Sequence, residues 1–165
     1  MMNAIIEFFK TDGLPQLGLA FLLGGLIGIE REVNHRPAGL RTHIVVTISA
    51  CLAMLINFEI VKNFEGVVNV DPGRMGAYVI SGIGFLGAGT IMKEGASISG
   101  LTTASSIWAS AMIGLACGIK MYKISIFFTI LVLFTLLLVN KSNYKIVSLL
   151  QAKNKTNDCE SCIKK

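Results

Sequence analysis

The sequence predicts an all-α membrane protein, a bundle of about five transmembrane helices with glycine-rich packing faces. Three observations carry that reading. Of 165 residues, 53% are hydrophobic and 15% charged, where soluble domains carry roughly 25% charged residues. Mean hydropathy is +0.65, and a soluble fold of this size has no room to hide so much apolar surface. Five apolar segments alternate with short polar breaks, and small residues recur inside them at spacings that let helices approach closely in lipid.

The elements follow in chain order. Residues 1–13, with "AIIEFFK", read as an interfacial segment on the outer surface. They hold Glu7, Lys10 and Asp12 rather than a positive n-region, so a cleaved signal peptide is not expected. The apolar segments are 14–29, 42–60, 75–92, 101–119 and 124–139. The middle three fit the length of about 20 residues that a spanning helix needs. The first and last, 16 residues each, must borrow flanking residues or thin the bilayer. The first, third and fourth are rich in small residues and are expected to form the centre. The fifth, polar only at Ser125, Thr129 and Thr135, reads as peripheral and lipid-facing. The domain division is therefore 1–13, a transmembrane domain at 14–140 and a basic cytoplasmic tail at 141–165, where six lysines face two acids.

Orientation follows from the cations of the short loops. With the N-terminus outside, Arg31, Arg36, Arg41, Lys93 and the tail lysines lie inside, against Lys10, Lys62, Arg74, Lys120 and Lys123 outside. The ratio is ten to five, which favours N-out, C-in. The basic tail suits a membrane surface. No arginine-rich or aromatic surface accompanies it, so nucleic acid is not an expected partner.

"SGIGFLGAGTIM" contains G-x-G-x-x-G at Gly82, Gly84 and Gly87. A dinucleotide fingerprint needs a preceding strand, a following helix and an acid about 20 residues on; an apolar run surrounds these glycines instead. Gly82, Gly84, Gly87 and Gly89, together with Gly24-x-x-x-Gly28 and Gly114-x-x-x-Gly118, suit helix–helix contacts within the protein or across a dimer. The alternative for the third segment is a locally unwound helix lining a cavity.

Polar residues supply the candidate sites. Glu30, Arg31, Glu32, Arg36 and Arg41 crowd the inner boundary of the first helix. They are either topology signals in an exposed loop or a paired ionic cluster, since charges inside a membrane are costly and usually functional. His35 and His43 lack a third ligand for a transition metal. In "DPGR", Asp71 suits an N-cap, Pro72 the first helical position and Arg74 the third. Arg74 opposes the helix dipole there, so an ion pair with Asp71 or Glu59 is expected. Asp71 is also a candidate cation ligand, with magnesium the hard cation that carboxylates and retained waters suit. A single carboxylate is too few for a tight site without a second chain, Glu59 or Glu65.

Ser99, Thr103, Ser106 and Ser110 fall on one helical face, with Thr102 beside them. They read as hydroxyl glue between helices or as a hydrophilic stripe along a wet path. Trp108 is placed to plug a gap in the bundle. Cys51 and Cys117 lie in apolar runs as packing residues, and Cys159-x-x-Cys162 alone is a weak metal signal. No nucleophile has a plausible base and no phosphate loop is present, so an enzyme is not expected and no cofactor is implied beyond magnesium as ligand or cargo.

"GLIGIERE", "PAGLRTH", "DPGRMGAYVISGIGFLGAGTI" and "GLTTASSIWASAMIGLACG", in that order, resemble the signatures of the MgtC/SapB family of bacterial membrane proteins over residues 22–118. Glu30, Arg31 and Arg41 match the first motifs. Asp71 and Arg74 match the next, with Gly82 to Gly89 after them, and Thr102, Thr103 and Trp108 match the last. The resemblance implies an inner-membrane protein linked to magnesium homeostasis, with roles at low magnesium and in survival inside macrophages. It also implies regulation of partner membrane proteins such as the ATP synthase. Many members add a soluble ACT-like domain, and 25 residues after Asn140 read as a short form. Three functions stay open: a regulator of membrane partners, a magnesium or other ion transporter, and a structural module.

Overall fold

A computed structural model describes residues 13–64 and 71–138. The interfacial segment, Glu65, the basic tail and its cysteine pair lie outside the described residues. The first helix, α1 (Leu14–Val33), starts after Gly13, whose φ of 110° lies in the left-handed region, with Pro15 in the first turn where no N–H is needed. Helix α2 (Leu40–Asn63) has Gly39 as N-cap without a side-chain cap of its own. Glu32 fills that role from the preceding helix: its Oε2 accepts the Leu40 N–H at 2.9 Å, placing a negative charge at the positive end of the helix dipole.

Helix α3 (Arg74–Ala88) is shorter than the sequence suggests. The apolar run continues to Met92, but the helix stops at Gly89, where Thr90 turns back and its hydroxyl donates to the Gly87 carbonyl at 2.8 Å. An antiparallel hairpin follows, β1 (Met92–Glu94) and β2 (Ser97–Ser99), with Lys93 opposite Ile98. Gly95 turns it at φ 61°. Fifteen residues span about 22 Å, less than a hydrocarbon core of about 30 Å. Helix α4 (Leu101–Gly118) begins after Gly100, whose φ is 86°. A side chain there would also collide with the Thr90 carbonyl. Helix α5 (Tyr122–Leu138) closes the described chain.

Helices α1, α2 and α4 are long and apolar enough to cross a membrane. With α3 and α5, they make the chain an all-α membrane bundle. Two compact units divide it, Met1–Val132 and Leu133–Lys165. The described part of the second is the apolar helical stretch 133–138. Within the first unit the centre is α1, α2 and α4, not the expected α1, α3 and α4. A small residue makes a close contact only where the facing helix is also small, and α2 offers Thr47, Ala50 and Cys51 to its neighbours. Added Cβ atoms at Gly24, Gly114 and Gly118 would run into Thr47, Ala50 and Met54 of α2, and one at Gly28 would lie 2.7 Å from the Leu40 Cα. By contrast, Gly87 is the buried residue of α3. Around this centre Phe21, Val45, Phe85 and Phe127 are exposed, as a lipid-facing surface requires.

Candidate functional site

The C-terminal end of α1 and the N-terminal ends of α2 and α4 meet around a buried polar cluster. Arg31 is 3% exposed. Its Nη2 donates to Thr103 Oγ1 at 3.0 Å, joining residues 72 positions apart, and its Nη1 lies 4.0 Å from Glu30 Oε2. The other Glu30 oxygen accepts from Asn34 Nδ2 at 2.8 Å. One turn into α2, the His43 ring is fully buried. Its Nδ1–H donates to the Gly39 carbonyl at 2.8 Å, and its Nε2 lies 3.0 Å from Ser106 Oγ. Ser106 also lies 2.9 Å from the Thr103 carbonyl. The hydroxyl therefore has two settings. It donates to a neutral ring at Nε2, or it turns to the Thr103 carbonyl while a protonated ring donates to it.

The cluster runs along the glycine contacts. Thr47 donates its hydroxyl to the His43 carbonyl at 2.7 Å, which presents a compact surface to Gly24 and Gly114. A side-chain hydrogen bond between membrane helices averages about 0.6 kcal/mol. The polar contacts therefore set register and orientation, while close backbone packing holds the helices. Glu30 Oε2, Arg31 Nε and Ser110 Oγ remain buried without hydrogen-bond partners among the described residues.

The expected site residues divide. Glu30, Arg31, Thr103 and Ser106 come together. Glu32 stands at the rim as the cap of α2, and Arg41 and Thr102 are exposed nearby. Ser99 leaves the hydroxyl face, because it lies on β2 with its hydroxyl 3.5 Å from the Met92 carbonyl, before α4 begins. Asp71 is not the N-cap of α3, since Gly73 holds that position and Arg74 opens the helix. Asp71 Oδ1 instead accepts the Gly73 N–H at 2.8 Å, and Asn57 secures the same loop through the Pro72 carbonyl at 2.7 Å. Among the described residues Arg74 has no ion pair, and no three His, Cys, Asp or Glu side chains gather around a metal position.

Gly82 and Gly84 face open space within the chain, Gly87 meets Ala104, and Gly89 caps the end of α3. Trp108 is half-exposed on the α3–α4 seam, where it lines a shallow cavity with Ile83 and Gly84 instead of plugging the bundle. Sequence spacing excludes His43 as a transition-metal ligand without placing it in this cluster. Its signal is present all the same: an imidazole one turn into an apolar helix must find partners.

A helical membrane protein with an ionic cluster sealed between three spanning helices is the class this fold defines. The sequence profile of the MgtC family matches residues 17–144, and the chain belongs to that family. Protein SapB of Bacillus subtilis (strain 168) is 41% identical over 119 residues, 70% of this chain and 51% of that protein. Protein MgtC of Brucella abortus (strain 2308) is 48% identical over 101 residues, 60% of this chain and 39% of its own length. Protein MgtC of Salmonella typhimurium (strain LT2) is 41% identical over 127 residues, 77% of this chain and 52% of that relative. The chain thus spans about half the length of the curated relatives it matches. No solved structure matches it.

Proposed function

We propose that the protein is a magnesium-linked regulator in the bacterial inner membrane that acts by binding other membrane proteins, with the ATP synthase as the partner to test. The supporting observation is how the polar groups are used. Arg31, Thr103, His43 and Ser106 bond across helices and fix the bundle. Helix α3 meanwhile keeps Tyr78, Gly82, Gly84 and Phe85 uncovered, with Phe85 84% exposed. Small residues beside a protruding aromatic let another membrane helix approach closely, whether from a partner or from a second copy in a dimer. Magnesium enters through the family. The reading assigns the chain no catalysis, and places the N-terminus outside and the C-terminus in the cytoplasm.

The test co-reconstitutes the purified protein with ATP synthase in proteoliposomes and follows ATP-driven proton pumping. Pumping is expected to fall with added protein and to recover with Phe85→Ala, while the melting temperature stays the same. Unchanged pumping sinks the ATP synthase as partner. Magnesium flux that depends on the protein and is lost in Asp71→Asn would replace the regulator with a transporter.

A further inference from the structure

At the end of the bundle away from the polar cluster, the start of α1 and the ends of α2 and α4 surround a second cavity, of about 870 Å³. Its wall is apolar, with Leu17 from α1, Leu52 and Leu55 from α2 and Ile119 after α4. The exposed rim is charged, with Glu59, Lys62 and Lys120. One wall group does not fit an apolar lining. Gln16 is 2% exposed, and its Oε1 has no hydrogen-bond partner among the described residues.

We propose that this cavity binds an acidic phospholipid of the surrounding bilayer that carries a headgroup hydroxyl, the chemistry of phosphatidylglycerol. Three features specify it. The ends of three spanning helices put the rim at the depth of the lipid headgroups, and the apolar wall below suits an acyl chain. Two lysines against one glutamate favour an anion, because cations near a membrane surface attract acidic lipid. A buried acceptor without a partner is costly, and a headgroup hydroxyl supplies the donor that Gln16 lacks among the described residues. The cavity's size lies within the usual range for ligand sites, about 300–1,000 Å³. This site is separate from the Arg31 cluster and goes beyond the regulator reading.

The test is a lipid titration of the full-length protein in detergent, read by native mass spectrometry. The probes are phosphatidylglycerol, phosphatidylcholine with the same chains, and free glycerol phosphate. Phosphatidylglycerol is expected to bind about tenfold more tightly than phosphatidylcholine, and Lys62→Gln and Lys120→Gln each to weaken it about fivefold. Leu55→Trp, which fills the cavity, is expected to abolish binding. The lysine variants lie on the exposed rim and keep the test valid should that variant fold poorly. Equal binding of the two lipids overturns the proposal, as does binding that both lysine variants leave unchanged. Displacement by free glycerol phosphate at equal concentration overturns the assignment to a lipid.

Discussion

Arg31 shows at the residue scale how a buried charge is kept. It donates to Thr103 and lies near Glu30, yet its Nε finds no partner among the described residues. Removing it leaves Glu30 as a buried carboxylate whose remaining hydrogen bond comes from Asn34. Breaking a buried pair in this way costs about 3–5 kcal/mol. Removing only the acceptor, in Thr103→Val, forfeits one interhelical hydrogen bond, worth about 0.6 and at most about 1.7 kcal/mol in a membrane. Arg31→Met is therefore expected to destabilise the bundle more than Thr103→Val. Denaturant titration in bicelles, followed by circular dichroism, measures both; a Thr103→Val variant as unstable as Arg31→Met would contradict the ordering. The crowd of charges at the end of the first apolar segment was legible in the sequence, as was the need of that 16-residue segment to borrow flanking residues. The pairing with Thr103 was not, because it joins residues 72 positions apart and depends on which helices are neighbours.

Elements raise the question of which glycines matter. Sequence spacing treats Gly28, Gly82, Gly84 and Gly114 alike, yet their surroundings differ. At Gly114 a Cβ would lie 2.9 Å from Ala50 Cβ and closer still to the Thr47 carbonyl, whereas at Gly82 it meets nothing within 4 Å. Overfilling a close-packed site costs about 1–3 kcal/mol, while alanine for glycine on an open helix face gains up to about 1 kcal/mol of helix propensity. Gly114→Ala is expected to lower the melting temperature of the detergent-solubilised chain, and Gly82→Ala to leave it unchanged or raise it. Equal losses at both positions would mean that α3 packs as tightly as α4. Five apolar segments were legible because burial in lipid leaves a long, continuous signal. The early stop of α3 was not, since "GAGTIM" stays apolar while Gly89 and Thr90 end the helix by backbone geometry. Neither was the central role of α2, whose Thr47, Ala50 and Cys51 matter through what faces them rather than through a motif.

For the whole molecule, the contacts fix which loops share a side of the membrane. Arg31 at the end of α1 bonds Thr103 at the start of α4, and His43 at the start of α2 bonds Ser106. The turn at 34–39 and the hairpin at 92–99 therefore lie on one side. Gly118 packs on Met54 far along α2, so the turn at 119–121 lies on the other. The positive-inside rule predicts the absolute direction: Arg31, Arg36, Arg41 and Lys93 gather on the first side, which is expected to face the cytoplasm. Single cysteines separate the two claims. In a background without the native cysteines, His35→Cys, Ala96→Cys and Met121→Cys place one thiol at each exposed turn. A membrane-impermeant maleimide applied to intact spheroplasts is expected to label Met121→Cys at once, and the other two only after permeabilisation. Reversed labelling, with His35→Cys and Ala96→Cys reacting first, would keep the bundle and invert its orientation. Labelling of Ala96→Cys and Met121→Cys from the same side would contradict the bundle itself, because α4 alone separates those two turns.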